Sequence, residues 1–405
     1  MNFTSLNTDP TLSNNESRQQ KQRSRIVKCL SKSEVPLTNP EIASVVRISL
    51  PTTIKLINEL IESKWVIEEG KKETELGRPP TLYTLNKEMM CAVGVEILLK
   101  RIHVTILKIG FDVVLSEQDQ SFVLENTQEC LDRVIIFIAA VIKKSGRSKD
   151  QIMGIGIGIT GRVNTNTGES ITYFNFLKKP LSIYIEEQLL LPVVIDNDTR
   201  VQGVAENVLG KGKHTQNTLI VNMSRGLGMS IVLNKKMVRG EMGFAGEFGH
   251  MHFGLEKRHC ICGKQGCLGT EVSGYALEED LKNALNRGET SINFSKETAE
   301  SIRYDSILEA AKNGDSLAIN LIQKQGEKLG SALGNIINLL NPSLIVIGGK
   351  FASVKDIFTD PVKMGIKKTA LINSAQSCKI VNSELTDQAG PQGAACLVFR
   401  KNEMI

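Results

Sequence analysis

Residues 245–250 read AGEFGH, and residues 260–267 read CICGKQGC. Together these stretches supply a complete tetrahedral ligand set for a zinc ion: His250, Cys260, Cys262 and Cys267. The glycines of the second stretch let the backbone wrap closely around an ion. Because the protein fills every coordination position, we expect the Zn²⁺ to be structural and not catalytic. His252 and His259 are alternative ligands, and buried cysteines without a metal are the competing interpretation.

The bulk composition is that of a soluble globular protein. Hydrophobic residues make up 41% of the chain and charged residues 23%, so intrinsic disorder is not the expected state. The cysteines outside 260–267 are scattered, which argues against a disulfide framework. The sequence has no secretory leader pattern and no run of about 18 apolar residues. We therefore expect a cytoplasmic protein with no membrane partner.

The length of 405 residues predicts one small module and one larger, two-lobed domain. Residues 1–15 are polar and lack an apolar block, so we expect a flexible N-terminus. Residues 16–86 have the pattern of a winged helix-turn-helix DNA-binding domain. Residues 87–405 have that of an α/β domain, which contains the zinc loop 250–267.

Three helices are predicted in the N-terminal module. Residues 18–32 carry six basic and no acidic side chains beside an apolar stripe, which predicts a basic first helix. Asn39 before Pro40 predicts the N-cap of a short second helix. Ser49 and Pro51 open a third helix. The third helix is expected to turn four apolar residues inward: Ile54, Ile57, Leu60 and Ile61.

Short polar groups at the start of the third helix suit base edges and phosphates in a major groove. Segments 65–67 and 82–84 predict the two strands of a wing, with a turn around 69–71. Between them, an arginine held in extended backbone by two prolines suits a minor groove. A helical subdomain with a solvated basic face is the alternative. The candidate DNA contacts are Ser49, Thr52, Thr53, Lys55, Gly77 and Arg78.

From Cys91 onward, apolar β-rich runs alternate with helical segments, which predicts an α/β domain. Helices are expected at 127–144 and 321–340. Strands are expected at 92–95, 153–158, 193–195, 219–221 and 343–349.

Several motifs of this domain resemble those of the ROK family of repressors, open reading frames and sugar kinases, specifically its Mlc, NagC and XylR-type regulators. They are GITGRV at 158–163, DND at 196–198, AGEFGH, the cysteine loop, and Asn341-Pro342 leading to Gly348-Gly349. The resemblance covers nearly the whole chain. It implies a two-lobed, actin-like (ribonuclease-H-like) domain of the sugar-kinase type with a sugar in its cleft.

The resemblance also implies the sugar contacts. Amide and carboxylate groups suit a polyol, because they donate to or accept from hydroxyls. Zinc on one nitrogen of His250 would aim the other nitrogen at a sugar hydroxyl. Family members follow the last zinc cysteine with Leu-Glu, whereas Gly269 stands here, which puts one contact in doubt. The implied sugar-binding residues are Gly161, Arg162, Asn175, Asn197, Asp198, Glu247 and His250.

Kinase activity is not expected, although Asp198 matches the general base of family kinases. The first phosphate loop of the family, Asp-x-Gly-Gly-Thr, corresponds to residues 96–100, where leucines replace the glycines. This loop is degenerate, so Asp198 is interpreted as a vestigial base. The second loop retains Gly226 and Gly228 but has Arg225 at the hydroxyl position. It stays an open possibility that Arg225 binds an anionic ligand such as a sugar phosphate.

These patterns predict a sugar-responsive transcriptional repressor of carbohydrate metabolism genes. Its expected partners are operator DNA, a sugar or sugar phosphate, and copies of itself in a homodimer or homotetramer. Two alternatives stay open. One is an active sugar kinase with a DNA-binding appendage, and the other is a regulator controlled by a protein partner, with a vestigial sugar site.

Overall fold

A computed structural model describes residues 14–73, 79–254 and 258–405. The predicted flexible N-terminus, 1–15, falls mostly outside these residues. The helices are α1 (Asn14–Lys32), α2 (Asn39–Val46), α3 (Leu50–Glu62), α4 (Gln128–Lys144), α5 (Leu181–Leu189), α6 (Asp198–Val208), α7 (Gly274–Asn286), α8 (Tyr304–Lys312), α9 (Ser316–Leu340), α10 (Asp356–Thr369), α11 (Ile372–Ser377) and α12 (Ala389–Lys401).

The strands alternate with these helices, as predicted for an α/β protein. They are β1 (Leu37–Thr38), β2 (Val66–Lys71), β3 (Thr81–Leu85), β4 (Cys91–Leu98), β5 (Arg101–Lys108), β6 (Val113–Asp119), β7 (Ile152–Ile159), β8 (Val163–Asn164), β9 (Glu169–Ser170), β10 (Val193–Asn197), β11 (Thr218–Met223), β12 (Leu227–Leu233), β13 (Lys236–Met237), β14 (Leu344–Gly348) and β15 (Lys379–Asn382). Within the described ranges, no helix is both long enough and apolar enough to cross a membrane.

The chain divides into two compact units. Unit 1 comprises Met1–Gly161, Thr167–Asp196 and Ala394–Ile405, and unit 2 comprises Arg162–Asn166 and Asn197–Gly393. Each unit contains one five-stranded sheet. In unit 1 the strand order is β10-β7-β4-β5-β6, and in unit 2 it is β13-β12-β11-β14-β15.

The first elements of unit 1 have the order of a winged helix-turn-helix: three helices and a small sheet of order β1-β3-β2. Helix α2 begins with a capping box, in which the backbone N–H of Thr38 donates to Glu41 Oε2 at 2.8 Å. The helix ends at Arg47 in the left-handed conformation. Ser49 is the N-cap of α3, as predicted, and Pro51 lies in its first turn.

Three predictions for this module were wrong in detail. The N-cap of α2 is Thr38 and not Asn39, because the Thr38–Glu41 pair satisfies the helix start. The buried face of α3 is Thr53, Leu56, Ile57 and Leu60, whereas Ile54 is exposed. Residues 69–71 do not form a turn, since β2 continues to Lys71 through an irregularity between Glu68 and Lys71.

The central strands of the unit 1 sheet are fully buried. Strands β4 and β7 run parallel, and every residue of β7 is buried. This burial explains why the side chains of β7 are apolar. The predicted strands at 92–95, 153–158 and 193–195 lie within β4, β7 and β10, and the predicted helix at 127–144 is α4 with Thr127 as its N-cap.

Unit 2 is built around the parallel strands β11 and β14. Its core contains Leu219, Val221, Ile345 and Ile347 from these strands, together with apolar residues of α7, α8, α9 and α10. Helix α9 begins at Ser316, five residues before the predicted start at 321, because Asp315 caps it by accepting from the Ala318 N–H. Unit 2 carries most of the candidate sugar and metal residues.

Candidate functional site

The four predicted metal ligands come together in unit 2. The ligand atoms of His250, Cys260, Cys262 and Cys267 all lie within 4.8 Å of one another. His250 Nδ1 lies 3.5 Å from Cys260 Sγ, and the sulfurs of Cys262 and Cys267 are 3.6 Å apart. A tetrahedral zinc site with bonds of about 2.3 Å to sulfur and about 2.0 Å to nitrogen has edges of roughly 3.5 to 3.8 Å. The donor set and its spacing therefore fit Zn²⁺.

The backbone of the cysteine loop is shaped to bring these atoms together. Gly263 and Gly266 have φ values of 86° and 72°, in the left-handed region that favours glycine. A turn is closed by the Cys260 N–H, which donates to the Lys264 carbonyl at 2.8 Å. Cys267 then caps a short 3₁₀ segment, Leu268–Thr270, whose Leu268 belongs to the core of unit 2. The loop is thus fixed to the hydrophobic core at one end.

Two thiols of the cluster lie in contrasting environments. A hydrogen bond from the Lys264 backbone N–H lowers the pKa of Cys262 to about 7. Burial raises the pKa of Cys267 to about 12. A cation held among these sulfurs would stabilise the thiolate form of both groups, since zinc binds thiolates.

The alternative histidine ligands lie outside this cluster. His259 Nε2 is 2.9 Å from the side-chain amide of Gln265. His252 pairs through its backbone with Cys267 and is exposed. Among the described residues, the grouping that could hold a metal contains His250 and neither of these two.

Glu247 and His250 lie together at the surface of unit 2. The Nε2 atom of His250 is 3.8 Å from Glu247 Oε2, whereas its Nδ1 atom faces Cys260 Sγ. The glycines of AGEFGH allow this segment to lie against β12: a Cβ at Gly246 would meet the Met229 carbonyl oxygen at 2.1 Å, and one at Gly249 would meet that of Leu227 at 2.3 Å. The motif therefore holds both side chains by close backbone packing.

Asn197 and Asp198 lie at the start of α6. Asn197 is the N-cap, and its Oδ1 accepts from the Thr199 and Arg200 N–H groups. Its Nδ2 donates to Asp198 Oδ1 at 2.7 Å. The positive end of the helix dipole favours a carboxylate here. Arg162 of the same unit is exposed, just before β8.

Gly161 and Asn175 belong to unit 1. Asn175 is exposed, and its Oδ1 accepts from Asn126 Nδ2 at 2.8 Å. Asn126 also accepts from the N–H of Phe174, which has the left-handed φ of 57°. Asn126 therefore orients the Asn175 loop, a role that sequence reasoning missed. Its position directly before the Thr127 cap of α4 was the available signal.

The predicted DNA contacts differ in their exposure to solvent. Thr52 is partly exposed and Lys55 is exposed on α3, and Ser49 Oγ lies 2.8 Å from Thr52 Oγ1. Thr53 is wholly buried, and its hydroxyl donates to the Ser49 carbonyl at 3.1 Å, so its side chain cannot reach DNA. Gly77 and Arg78 lie outside the described residues.

A family model described as "ROK family" matches residues 92–401 of this chain. The chain belongs to the ROK family. The match spans both five-stranded sheets and the cysteine loop, and it begins after the winged helix-turn-helix elements.

Similar proteins include both regulators and kinases. The xylose repressor of Caldicellulosiruptor bescii is 27% identical over 365 residues, covering 90% of this chain and 92% of that protein. A crystal structure described as a ROK family transcriptional regulator, a homologue of the Escherichia coli Mlc protein, covers 95% of this chain and 98% of its own, with a TM-score of 0.79 and 26% identity. A glucokinase of Streptomyces coelicolor is 29% identical over 275 residues, but covers only 66% of this chain and 86% of the kinase.

The two segments that the family resemblance matches to phosphate loops have internal contacts. In the first, Glu96 is buried within β4 and pairs with Arg101 at 2.8 Å. In the second, Arg225 lies 3.4 Å from Glu278, and its guanidinium is 5.9 Å from the ring centre of Tyr275. The sequence left an anionic ligand for Arg225 as an open possibility. In the structure the guanidinium of Arg225 already has a carboxylate partner, Glu278.

Proposed function

We propose that this protein is a sugar-responsive, DNA-binding transcriptional repressor of carbohydrate metabolism genes. The observation that carries the proposal is the combination of a winged helix-turn-helix with a ROK domain in one chain. A relative named as a xylose repressor matches over 90% of this chain and a structure described as a transcriptional regulator over 95%, whereas the glucokinase match covers 66%. We assign residues 16–86 to DNA binding and 87–405 to sugar binding.

DNA binding rests on the exposed face of α3. Thr52 and Lys55 lie on that face, near the N-terminus of the helix. The base-reading end of a recognition helix is usually its N-terminal end. The exposed aliphatic side chains of Leu50 and Ile54 add apolar surface beside them.

Much of the positive charge of α1 has an internal role. Arg23 Nε donates to Glu59 of α3 at 2.9 Å, and Arg25 donates to the Val46 carbonyl at the end of α2. Lys28 pairs with Glu403 at 2.8 Å. Three of the six basic residues of this helix therefore contact α2, α3 or the C-terminal end of the chain. This leaves the DNA contact mainly to α3 and the wing.

Sugar binding rests on the polar groups of AGEFGH and of the α6 N-terminus. A zinc ion on His250 Nδ1 would leave Nε2 as the hydrogen-bonding atom, facing Glu247. The ion would supply only rigidity, because four protein ligands leave no open position. Asp198 and Asn197 add acceptors and a donor that suit sugar hydroxyls.

The proposal excludes kinase chemistry because of the structure of residues 96–100. Phosphoryl transfer depends on backbone amides and cations that hold the triphosphate. Here residues 96–100 form the end of β4 and a tight turn, with Leu98 paired to Arg101 and no glycine. Asp198 would then act as a hydrogen-bond acceptor for sugar and not as a general base.

A selection from random-sequence DNA duplexes tests the DNA-binding half. We expect the full chain to enrich a two-fold symmetric sequence, because a dimer presents two recognition helices. Lys55→Glu should weaken binding to the enriched duplex by about tenfold or more, whereas Lys143→Glu on α4 makes the same charge change outside the module and should have little effect. Failure to enrich any sequence, or equal effects of the two variants, would contradict the proposal.

A further inference from the structure

A polar groove of about 460 Å³ lies in unit 2, lined by residues of α7, α9 and α10 and by Phe253 and Arg258. Its volume falls within the range of small-molecule sites, roughly 300 to 1,000 Å³. None of its lining residues is among the candidate sugar, metal or DNA contacts. The groove is therefore a separate feature of the molecule.

The lining of the groove is predominantly basic, with five cationic side chains and two carboxylates. Two cations are neutralised inside the groove: Arg258 lies 2.8 Å from Asp280, and Lys368 pairs with Glu327. Two others, Arg287 and Lys328, pair with Glu289 and Glu271, which do not line it.

Lys324 differs from the other four cations. It is exposed, and within the described part of the chain it has neither a hydrogen bond nor an ion pair. Lys328 lies one helical turn further along α9, so the two ammonium groups project from the same face of the helix. A doubly charged anion between them would gain two charge-assisted contacts.

Gln325 adds a second requirement. Its side chain is 1% exposed, and its Nε2 donates to Asp280 Oδ2 at 3.3 Å. Its Oε1 is buried and accepts no hydrogen bond. A buried acceptor without a donor is unfavourable, so the groove calls for an O–H or N–H group at this point. A bare anion does not supply one.

We propose that this groove binds a small phosphorylated polyol, such as a sugar phosphate. The phosphate contacts Lys324 and Lys328, and a hydroxyl donates to Gln325 Oε1. One wall of the groove belongs to the cysteine loop, because Arg258 accepts from the Gly266 N–H through its carbonyl and donates to the Thr270 carbonyl at 3.2 Å. An occupant would thus contact Arg258, which is hydrogen-bonded to the segment that carries Cys267. This inference does not rest on DNA binding or on the sugar contacts proposed above.

Isothermal titration of the full, zinc-loaded chain with glucose 6-phosphate, glycerol 3-phosphate and inorganic phosphate tests the proposal. We expect saturable binding of at least one polyol phosphate. Lys324→Ala should weaken it about tenfold or more, the size expected for one charge-assisted hydrogen bond. Lys367→Ala removes an exposed lysine of α10 that does not line the groove and should leave the affinity unchanged.

Two further variants separate this groove from the other candidate site. Binding should persist in Asn197→Ala, which alters the candidate sugar contacts and the cap of α6 but no residue that lines the groove. Gln325→Met should weaken the polyol phosphates but not inorganic phosphate, because only the former carry a carbon-bound hydroxyl that can reach Gln325 while the phosphate contacts the lysines. The proposal is overturned if no probe binds at millimolar concentration, if Lys324→Ala behaves like Lys367→Ala, or if binding disappears in Asn197→Ala. A cooperative thermal unfolding transition in each variant would establish that it is folded.

Discussion

The imidazole of His250 lies between two functional groups: its Nδ1 atom is 3.5 Å from Cys260 Sγ, and its Nε2 atom is 3.8 Å from Glu247 Oε2. A metal on Nδ1 leaves the proton on Nε2, where it can donate to a carboxylate or to a sugar hydroxyl. The cysteine cluster and the candidate sugar site are therefore joined through one ring. Loss of the metal should affect both.

Zinc content tests this arrangement. We expect about one zinc per chain in wild type and almost none in Cys262→Ser, measured by elemental analysis, because a four-ligand structural site does not tolerate the loss of a thiolate. Cys262 is exposed, so the substitution removes a ligand without opening a cavity. Cys29→Ser, outside the cluster, is the control and should retain zinc. A wild-type protein purified without zinc would contradict the assignment.

The neighbouring residues Thr52 and Thr53 should separate DNA affinity from stability. Thr53→Val keeps the shape of a buried side chain but removes its hydrogen bond to Ser49, at a cost of about 1 kcal/mol in the free energy of unfolding. Its DNA affinity should be unchanged. Thr52→Val should show the opposite pattern. Urea unfolding measures the stability, and fluorescence anisotropy measures the DNA affinity. A Thr53→Val variant that keeps its stability but loses DNA affinity would contradict the buried position of Thr53 on α3.

Glu41 should make the stability of the winged module depend on acid pH. Hydrogen bonds from Lys72 and from Thr38 lower the pKa of Glu41 to about 2, from 4.5. Because the folded pKa is depressed, the stabilisation is present above about pH 4.5 and is lost as the pH falls toward 2. The Glu41–Lys72 pair is largely exposed, so its contribution is below about 1 kcal/mol.

The corresponding measurement compares thermal midpoints of wild type and Glu41→Gln. The difference should be largest near neutral pH and should shrink as the pH is lowered through the acid window. Glu62→Gln, at an exposed position of α3, is the matched control and should show no such trend. A difference that grows on acidification would contradict the assigned pKa direction.

Sugar phosphorylation is expected to be absent. With ATP, Mg²⁺ and D-glucose or D-xylose, ³¹P NMR should detect no sugar phosphate, because the 96–100 turn lacks the glycines of a phosphate loop. ATP-dependent turnover that disappears in Asp198→Asn would instead establish the kinase alternative.

Some parts of this structure could be predicted because they depend on local patterns. The buried strands β4, β7 and β14 appear in the sequence as continuous apolar runs, which predict buried strands. Helix α4 begins directly after Thr127, the N-cap residue at the start of the predicted helix. The four metal ligands could be predicted because three of them lie within eight residues of sequence. In each case the decisive contacts involve residues that are close in sequence.

Other parts depend on contacts that the sequence does not display. The inward face of α3 was misassigned because a threonine hydroxyl can be buried when it bonds to the carbonyl four residues earlier, as Thr53 does. The irregularity of β2 between Glu68 and Lys71 depends on pairing with β3. The basic groove is assembled from four separate segments, and Asn126 orients a loop 49 residues away in sequence. Contacts between residues so far apart in sequence leave no periodic pattern from which they could be predicted.

The most direct test of the repressor account is the affinity of the full chain for its selected duplex, measured by fluorescence anisotropy with and without free sugars such as D-xylose and D-glucose. We predict that one sugar lowers DNA affinity by roughly 5- to 150-fold, the usual size of an allosteric coupling, and that the duplex lowers sugar affinity by the same factor. The effect should be lost in Asn197→Ala. Tight DNA binding that no sugar changes would contradict the account and would favour control by a protein partner.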